Sequence, residues 1–518
     1  MAEAGSGNVK STLGLTGVTM NAMALIAPGA FLWITYQLQA AATAPDGSSV
    51  ANDMWAGIGL ALFIAFLTAL SYGQLAKLYP EAGFGSAYYF AERAFLDRES
   101  KAHHKFARLA KLVTGWAAHL FYWVYPGVMV AMMATLLGYM YQAVTGNPLS
   151  MPMMVGICVV FAVVCGWIAS RGVTGSTMTS IIINIVQLSS LAFFSIVAIY
   201  YRLHNPEHVS TWSFSSAVDI VKPHSLTGVA VQSTIAILIL VGFESCTAFA
   251  AETIDPKKNI PRAVILSLII QGLIAYLFEY FAANFMVGDT LTGADSAGKA
   301  LTGMDAAAAS SAPIGDMAIH LGNAVFHGLG FGLMMTIAVT VALAVLGTTL
   351  SCLNTAVRVS YAMAQDDEMP EILNAMHGTY ATPHKAIWVL VAVSIVIGAI
   401  GVQSVVGLTG ITLASNFGTF VLYALTCLWT IIAFAERHDR HWFSHYVIPG
   451  LGLLTNVAML GAILYLYIIG NADAKHEAYI CFALAGAWAF VSVLYVAISS
   501  ARSGKSLMAI PSASPARG

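Results

Sequence analysis

Charge is scarce in this sequence. Lys, Arg, Asp and Glu make up 9% of the 518 residues, against 58% hydrophobic ones. That is too little polar surface to solvate a globular body of this size, so the chain belongs in a bilayer. The net charge of −2 and the lack of a basic patch interleaved with aromatics argue against a nucleic-acid partner. The six cysteines, Cys158, Cys165, Cys246, Cys352, Cys427 and Cys481, have no metal-ligand spacing and read as small core residues. Neither HExxH, nor G-x-S-x-G, nor a cluster of metal ligands occurs in the apolar stretches, so no metal, no cofactor and no enzyme is expected. The longest hydrophilic connections, about 90–111 and 289–327, are too short for a catalytic core of ordinary domain size.

What the chain does have is apolar length. Stretches long enough to cross about 30 Å of hydrocarbon as helices fall at roughly 14–42, 54–79, 112–143, 152–170, 176–201, 227–253, 263–288, 328–364, 385–402, 405–435, 446–470 and 477–500. Helices satisfy their own backbone hydrogen bonds in lipid, and the pattern predicts an all-α integral membrane protein with twelve transmembrane helices. If the N-terminus is cytoplasmic, the inner segments hold 19 basic residues and the outer ones only Arg202, Lys222, Lys299 and Lys475, together the 23 of the chain. This asymmetry predicts a multi-pass protein with both termini cytoplasmic. Residues 1–13 then form a polar N-terminal segment, and the first apolar stretch, too long for a cleavable signal, reads as a signal anchor. The tail 501–518, rich in Ser, Pro and Ala, is expected to be disordered. Asp366-Asp367-Glu368 reads as a solvated turn, and 289–327 as an outer loop with at most one short helix.

Two spans carry interruptions. Span 1 has Ile26-Ala27-Pro28-Gly29-Ala30 near its middle: proline removes a helical hydrogen bond and glycine tolerates unwound backbone. Two half-helices are expected, with Pro28 in the first turn of the second. A plain proline kink is the alternative. Span 6 has Gly242-Phe243-Glu244-Ser245. Interruptions at corresponding places in two halves running in opposite directions point to an inverted-repeat transporter with its site at the midplane. The free N–H groups near Gly29 and Ala30 would face an anion and the carbonyls near Gly242 a cation, which suits a zwitterion. Phe243 is a candidate gate or a packing residue. Glu244, an acid in mid-membrane, is a functional candidate by default: it would accept a substrate ammonium, carry a proton, or hold the unwound backbone.

Four stretches resemble those of the amino acid-polyamine-organocation superfamily. They are Gly242-Phe243-Glu244-Ser245 with Ala251-Glu252-Thr253, Asp255-Pro256 and Asn259-Ile260-Pro261-Arg262; Pro80-Glu81-Ala82-Gly83-Phe84-Gly85-Ser86-Ala87-Tyr88; Asn354 to Ala364 with Pro370 and Thr382-Pro383; and Ala27-Pro28-Gly29-Ala30. The resemblance implies a five-plus-five inverted repeat, 14–201 and 227–435, with broken helices 1 and 6 and two extra C-terminal helices, 446–500. It also implies that Gln187 stands where many amino acid transporters place a lysine bridging helices 1 and 5, and that span 3, with His119, Tyr122, Trp123 and Tyr125, lines the pathway.

Other polar groups lie within the spans. Glu279, toward the outer half of span 7, is a candidate proton relay or amine partner, or else an interhelical hydrogen-bonder. His119 reads as an interhelical hydrogen-bonder or a pH switch. Ser351, Asn354 and Thr355 have oxygens that would suit a sodium ion, unless they bond to their own helix. The expected function is a secondary active transporter that carries amino acids across the plasma (inner) membrane by alternating access, with proton or sodium coupling possible. A polyamine or cationic-amine carrier is the rival, favoured by Glu244 and Glu279. A sensor or channel built on a transporter fold is the alternative of another class.

Overall fold

The computed structural model describes residues 11–172, 174–204, 213–288, 290–294, 298–380, 382–508 and 510. The segment expected before residue 11 and the tail from 511 lie outside them. Among the described residues eleven helical stretches are long and apolar enough to cross a membrane, and they coincide with expected spans 2 to 12. The remaining apolar stretch is two helices, α1 (Leu15–Ile26) and α2 (Pro28–Ala40). Pro28 disfavours helical geometry in the residue before it. Ala27 accordingly takes φ 35° and ψ 72°, and Pro28 opens α2 where its missing N–H has no helical role.

Next come α3 (Met54–Leu78), α4 (Ser86–Leu96), α5 (Ala107–Thr145), α6 (Met151–Ser170) and α7 (Thr174–His204). After the short α8 (Phe214–Val221), α9 (Leu226–Ala236) runs into a break at Gly242. Beyond it the chain continues as a 3-10 helix, Phe243–Glu252, where an α-helix was expected. A second departure follows. α10 (Pro256–Leu268) begins seven residues before the expected span 7 and passes through a π-helical stretch, Ile269–Tyr276, into α11 (Leu277–Val287). The loop expected over 289–327 holds a strand pair, β1 (Thr292–Ala294) with β2 (Ala300–Thr302), and two helices, α12 (Gly303–Ala309) and α13 (Pro313–Val325), rather than at most one. Then come α14 (Gly330–Gln365), α15 (His384–Gly401), α16 (Val405–Phe434), α17 (Ile448–Ile469) and α18 (Ala472–Ser503).

The elements divide into an inner set and a frame. α1 packs against α7, α10, α14 and the 3-10 helix, and α3 lies along α9 and α10. α5 crosses beside α14, α15 and α16, and α16 in turn packs on α17 and α18.

One face of the bundle carries a lattice of ion pairs. Arg108, at the start of α5, gives Nε–H to Glu368 Oε1 at 2.7 Å and NH2 to Oε2 at 2.9 Å. It also donates to the carbonyls of Lys505 and Ser506. Lys111 reaches Glu92 at 2.9 Å and Asp366 at 3.3 Å. The solvated turn expected at 366–368 is therefore wrong for two of its three acids: Glu368 is 2% exposed, and Asp366 accepts from Tyr88 and Lys111. The disorder expected from residue 501 likewise does not hold for the part described, because α18 runs to Ser503 and Arg108 binds the chain just beyond. Arg358 on α14 donates to Glu252 Oε1 at 2.9 Å, which ties α14 to the end of the 3-10 helix. Thr12 and Leu13 give their N–H groups to Glu252 O, and Ile254 N–H returns to Leu13 O, so the lead into α1 is stitched to the same point.

Breaking a buried pair leaves an uncompensated charge, worth about 3–5 kcal/mol. Arg108→Ala is expected to lower the apparent Tm of the detergent-solubilised protein accordingly. Arg108→Leu combined with Glu368→Leu is expected to recover most of the loss, and thermal unfolding followed by tryptophan fluorescence checks both.

Candidate functional site

The two interruptions meet. Gly242 has φ 130°, a conformation open in practice only to glycine, and a Cβ placed there would lie 2.9 Å from Leu25 Cβ. The break of span 6 therefore rests directly on the last turn of α1. Ile26, Ala27, Pro28, Gly29 and Ala30 on one side, and Gly242, Phe243, Glu244 and Ser245 on the other, are all buried.

Several of the backbone groups freed at this junction are met by side chains. Gly29 N–H donates to Gln187 Oε1 on α7 at 3.3 Å. Gln187 Nε2 donates to Asn184 Oδ1 at 2.8 Å, and Asn184 Nδ2 to Met20 O on α1 at 2.9 Å. Gln187 thus bridges span 5 to the break in span 1 from the place where a lysine was expected by resemblance, but through an accepting amide oxygen and without charge. Tyr276 donates its hydroxyl to Ile26 O at 2.7 Å, and Thr348 to Ala24 O at 3.0 Å.

Glu244 caps the second break. Its Oε2 accepts from Gly242 N–H at 3.0 Å and from the Tyr423 hydroxyl at 2.8 Å, and its Oε1 accepts from the Tyr122 hydroxyl at 3.1 Å. Three donors converge on one carboxyl group. Of the roles open to Glu244 in the sequence, this geometry matches the holding of unwound backbone. Phe243 fits between Tyr72 and Tyr423, with ring centroids 6.2 and 5.3 Å away. Tyr423, on α16, is a residue that sequence reasoning missed. The available signal was a tyrosine deep in an apolar span, whose hydroxyl needs a partner when buried.

The remaining candidates separate in space. A cavity of about 290 Å³ lies between the breaks and the ion-paired face, lined among others by Asn21, Arg171, Ser180, Phe249, Ser351 and Asn354. Its size sits near the lower bound of about 300 Å³ for small-molecule sites. Ser351 and Asn354 thus face the cavity as a pair. Thr355 spends its hydroxyl on Ser351 O at 2.9 Å, within its own helix, and Ser351 donates to Asn21 O at 3.1 Å. His119 lies 2.6 Å through Nδ1 from Gly115 O and 2.8 Å through Nε2 from Ser360 Oγ, joining α5 to α14. Tyr125 is buried one turn beyond Tyr122, against Phe121. Glu279 is buried as well, but α11 carries it past Tyr276 toward the face opposite the ion pairs.

Comparison with known proteins gives this junction a family. A family model described as "Amino acid permease" matches residues 11–488, from the lead into α1 to the middle of α18. The chain belongs to this permease family. Permeases of this kind are transporters rather than enzymes, and the chain is a multi-pass membrane transporter of amino acids or amines. Among curated proteins it is similar to the methylthioribose transporter of Bacillus subtilis, 23% identical over 400 residues, 74% of this chain and 76% of that one. It is also similar to the low-affinity putrescine importer PlaP of Escherichia coli, 24% identical over 402 residues, 76% of this chain and 77% of that one. An uncharacterized transporter of Rhizobium meliloti is 24% identical over 230 residues; that match spans 44% of this chain and 43% of its relative.

The junction makes a sharp distinction between its two glycines. Gly242→Ala combines a strained backbone with overpacking against Leu25 and is expected to cost about 2–4 kcal/mol. Gly29→Ala, at a helical position without positive φ, places its Cβ 3.1 Å from the Gln187 amide oxygen and 3.2 Å from Gln187 Cβ, contacts tight by only a few tenths of an ångström, and is expected to cost less than half as much. Apparent Tm values of the two purified variants decide the order.

Proposed function

We propose that this permease is a secondary active transporter that moves an amino acid across the plasma membrane by alternating access, with the ion-paired face and both termini cytoplasmic. The observation that carries the reading is the contact of Gly242 with the end of α1. Two helices of opposite direction are interrupted at the same depth and rest on each other there, as a midplane site between two inverted repeats requires. Spans 1–5 and 6–10 form those repeats in this reading, and the last two helices flank them.

Substrate would enter the junction by displacing side chains that now stand in for it. The Gln187 amide oxygen holds the Gly29 N–H, the donor a substrate carboxylate would take. The Gly242 carbonyl, which now accepts from Ser245 Oγ at 2.6 Å, would turn to the ammonium. Ser351 and Asn354 in the cavity open a polar route toward the cytoplasmic face, while Arg358–Glu252 sits across the ends of the elements that must part. Proton or sodium coupling needs no bound cofactor.

A second reading, a polyamine or cationic-amine carrier, is favoured by one observation: two acids, Glu244 and Glu279, are buried within the spans, and the similarity to a putrescine importer agrees with it. The bonding of Glu244 speaks for the first reading, because its carboxyl group is already engaged by three donors.

Counterflow in proteoliposomes separates these. Labelled leucine is expected to enter vesicles preloaded with unlabelled leucine, saturably and at least tenfold faster than unloaded ones, and putrescine is not. Counterflow with putrescine alone establishes the second reading. Uptake that never saturates marks a channel, and binding without uptake marks a sensor.

A further inference from the structure

The connection between α16 and α17 leaves one cation over. Beyond Phe434 the chain runs through Glu436, Arg437, Asp439 and Arg440 to a second π-helical turn, Phe443–Val447, which leads into α17. Glu436 accepts from Arg98 at 2.6 Å, which places the connection on the ion-paired face beyond the end of α4, and Arg437 donates to Asp439 at 2.9 Å. Arg440 has no carboxylate within ion-pairing distance among the described residues. One corner of its guanidinium is fixed, Nη1 donating to Ala435 O at 2.6 Å, and its other N–H groups have no partner among the described residues.

The π-helical turn presents two different sides. His445 is buried and stacks on Phe434 of α16, ring centroids 3.7 Å apart, and its Nδ1 accepts the His441 N–H at 2.9 Å. Trp442 and Phe443 are instead 74% and 63% exposed. Tyr446, four residues after Trp442, donates its hydroxyl to Phe434 O at 3.3 Å. Arg440, Trp442 and Tyr446 together line an open recess of about 420 Å³, within the range of about 300–1,000 Å³ for small-molecule sites. The turn packs on α3 as well as α16, and Lys77, at the end of α3, is near enough to act electrostatically on His445. Lys77 has no carboxylate partner among the described residues either.

Past the recess the surface turns apolar. Leu451, Leu454 and Val457 of α17 are exposed, and their spacing of three sets them in one stripe along the helix. α17 belongs to a stretch long and apolar enough to cross the membrane, so this stripe meets hydrocarbon. A cation with donors to spare, aromatic rings of the interfacial kind and an apolar stripe follow one another as headgroup, interface and chain do in a phospholipid.

We propose that Arg440, Trp442 and Tyr446 form a binding site for an anionic phospholipid in the leaflet on the ion-paired side, its acyl chains lying along α17. The phosphodiester oxygens accept from Nε and Nη2 of Arg440, the fork that Ala435 leaves open. Trp442 and Tyr446 wall the glycerol region with rings that are apolar in body and polar at the tip. Charge selects the headgroup: choline would bring a cation to a place where Arg440 and Lys77 are already unneutralised, whereas phosphoglycerol brings none. The proposal requires only that the chain spans a bilayer and stands whether or not the transport reading holds.

Native mass spectrometry of the delipidated full-length protein, offered equal amounts of phosphatidylglycerol and phosphatidylcholine, tests the site. Wild type is expected to retain phosphatidylglycerol preferentially, and Arg440→Gln to lower that preference about fivefold, the factor one basic residue supplies at an anionic membrane surface. Lys101→Gln, which removes an exposed cation elsewhere on the same face, is expected to leave the preference unchanged. No preference in wild type, an unchanged one in Arg440→Gln, or an equal loss in Lys101→Gln overturns the proposal. Should Arg440→Gln not fold, Trp442→Ala must reduce the phosphatidylglycerol retained, and undiminished retention overturns the proposal equally. Excess glycerol 3-phosphate, a headgroup without acyl chains, is expected to leave the bound lipid in place. Complete displacement by it marks a site for soluble anions and overturns the proposal.

Discussion

A helix can be interrupted inside a bilayer only if the polar groups that the interruption frees are bonded again within the protein. Everything at the centre of this molecule follows from that constraint. The breaks at Ala27 and Gly242 release N–H and C=O groups at one depth: Gln187, Tyr276 and Thr348, from three other elements, and Glu244, from within the break, meet them, while Tyr122 and Tyr423, from two more, hold Glu244. The packing of α5, α7, α14 and α16 around the pair is the means by which those side chains are delivered. A hydroxyl or amide serves this purpose better than a charge, because it satisfies the backbone without the desolvation penalty of a buried ion. The single acidic partner, Glu244, has three donors around its carboxyl group.

The ion-paired face obeys the opposite rule. Charges there are many, largely buried, and bonded in pairs that cross between elements: α5 to the turn after α14, α5 to α4, and α14 to the 3-10 helix. Because the lead into α1 is stitched to Glu252 and Glu252 is held by Arg358, the near halves of both broken spans share one anchorage on α14. The cavity lined by Asn21, Phe249, Ser351 and Asn354 lies directly behind it. A displacement of α1 and the 3-10 helix away from α14 would break one ion pair and the hydrogen bonds of Ser351 to Asn21 O and Thr348 to Ala24 O, and would widen one cavity.

What could be read in the sequence was local chemistry. Scarce charge and apolar length locate the spans, Pro28 opens α2 because of its own covalent structure, and Gly242 marks a conformation no other residue adopts easily. What could not be read was long-range pairing. Tyr423 lies 179 residues from Glu244 and Tyr122 lies 122 residues from it, so nothing near the motif announces either. The turn 366–368 looked solvated because its partner, Arg108, is 260 residues away. The 3-10 form of Phe243–Glu252 has no signal in its apolar composition, and the two helices of 303–325 were hidden in a composition of Ala, Gly and Ser. Gln187 shows the mixed case: its position was legible by resemblance, its role as an acceptor only from geometry.

The stretch from Ile269 to Asn284 links these observations. Tyr276 ends the π-helical segment and holds Ile26 O, the last carbonyl of α1; Tyr280, one turn on, pairs with Thr35 of α2. α11 therefore clamps both halves of the broken first span across the gap at Ala27. A π-helical turn widens the helix and is a common local adjustment at functional sites; here it sets the rotation at which both tyrosines point to the same partner. Glu279 lies between the two clamping residues. Any rotation or shift of α11 is therefore transmitted to both half-helices at once, which gives this stretch a direct mechanical route to the junction of the two breaks.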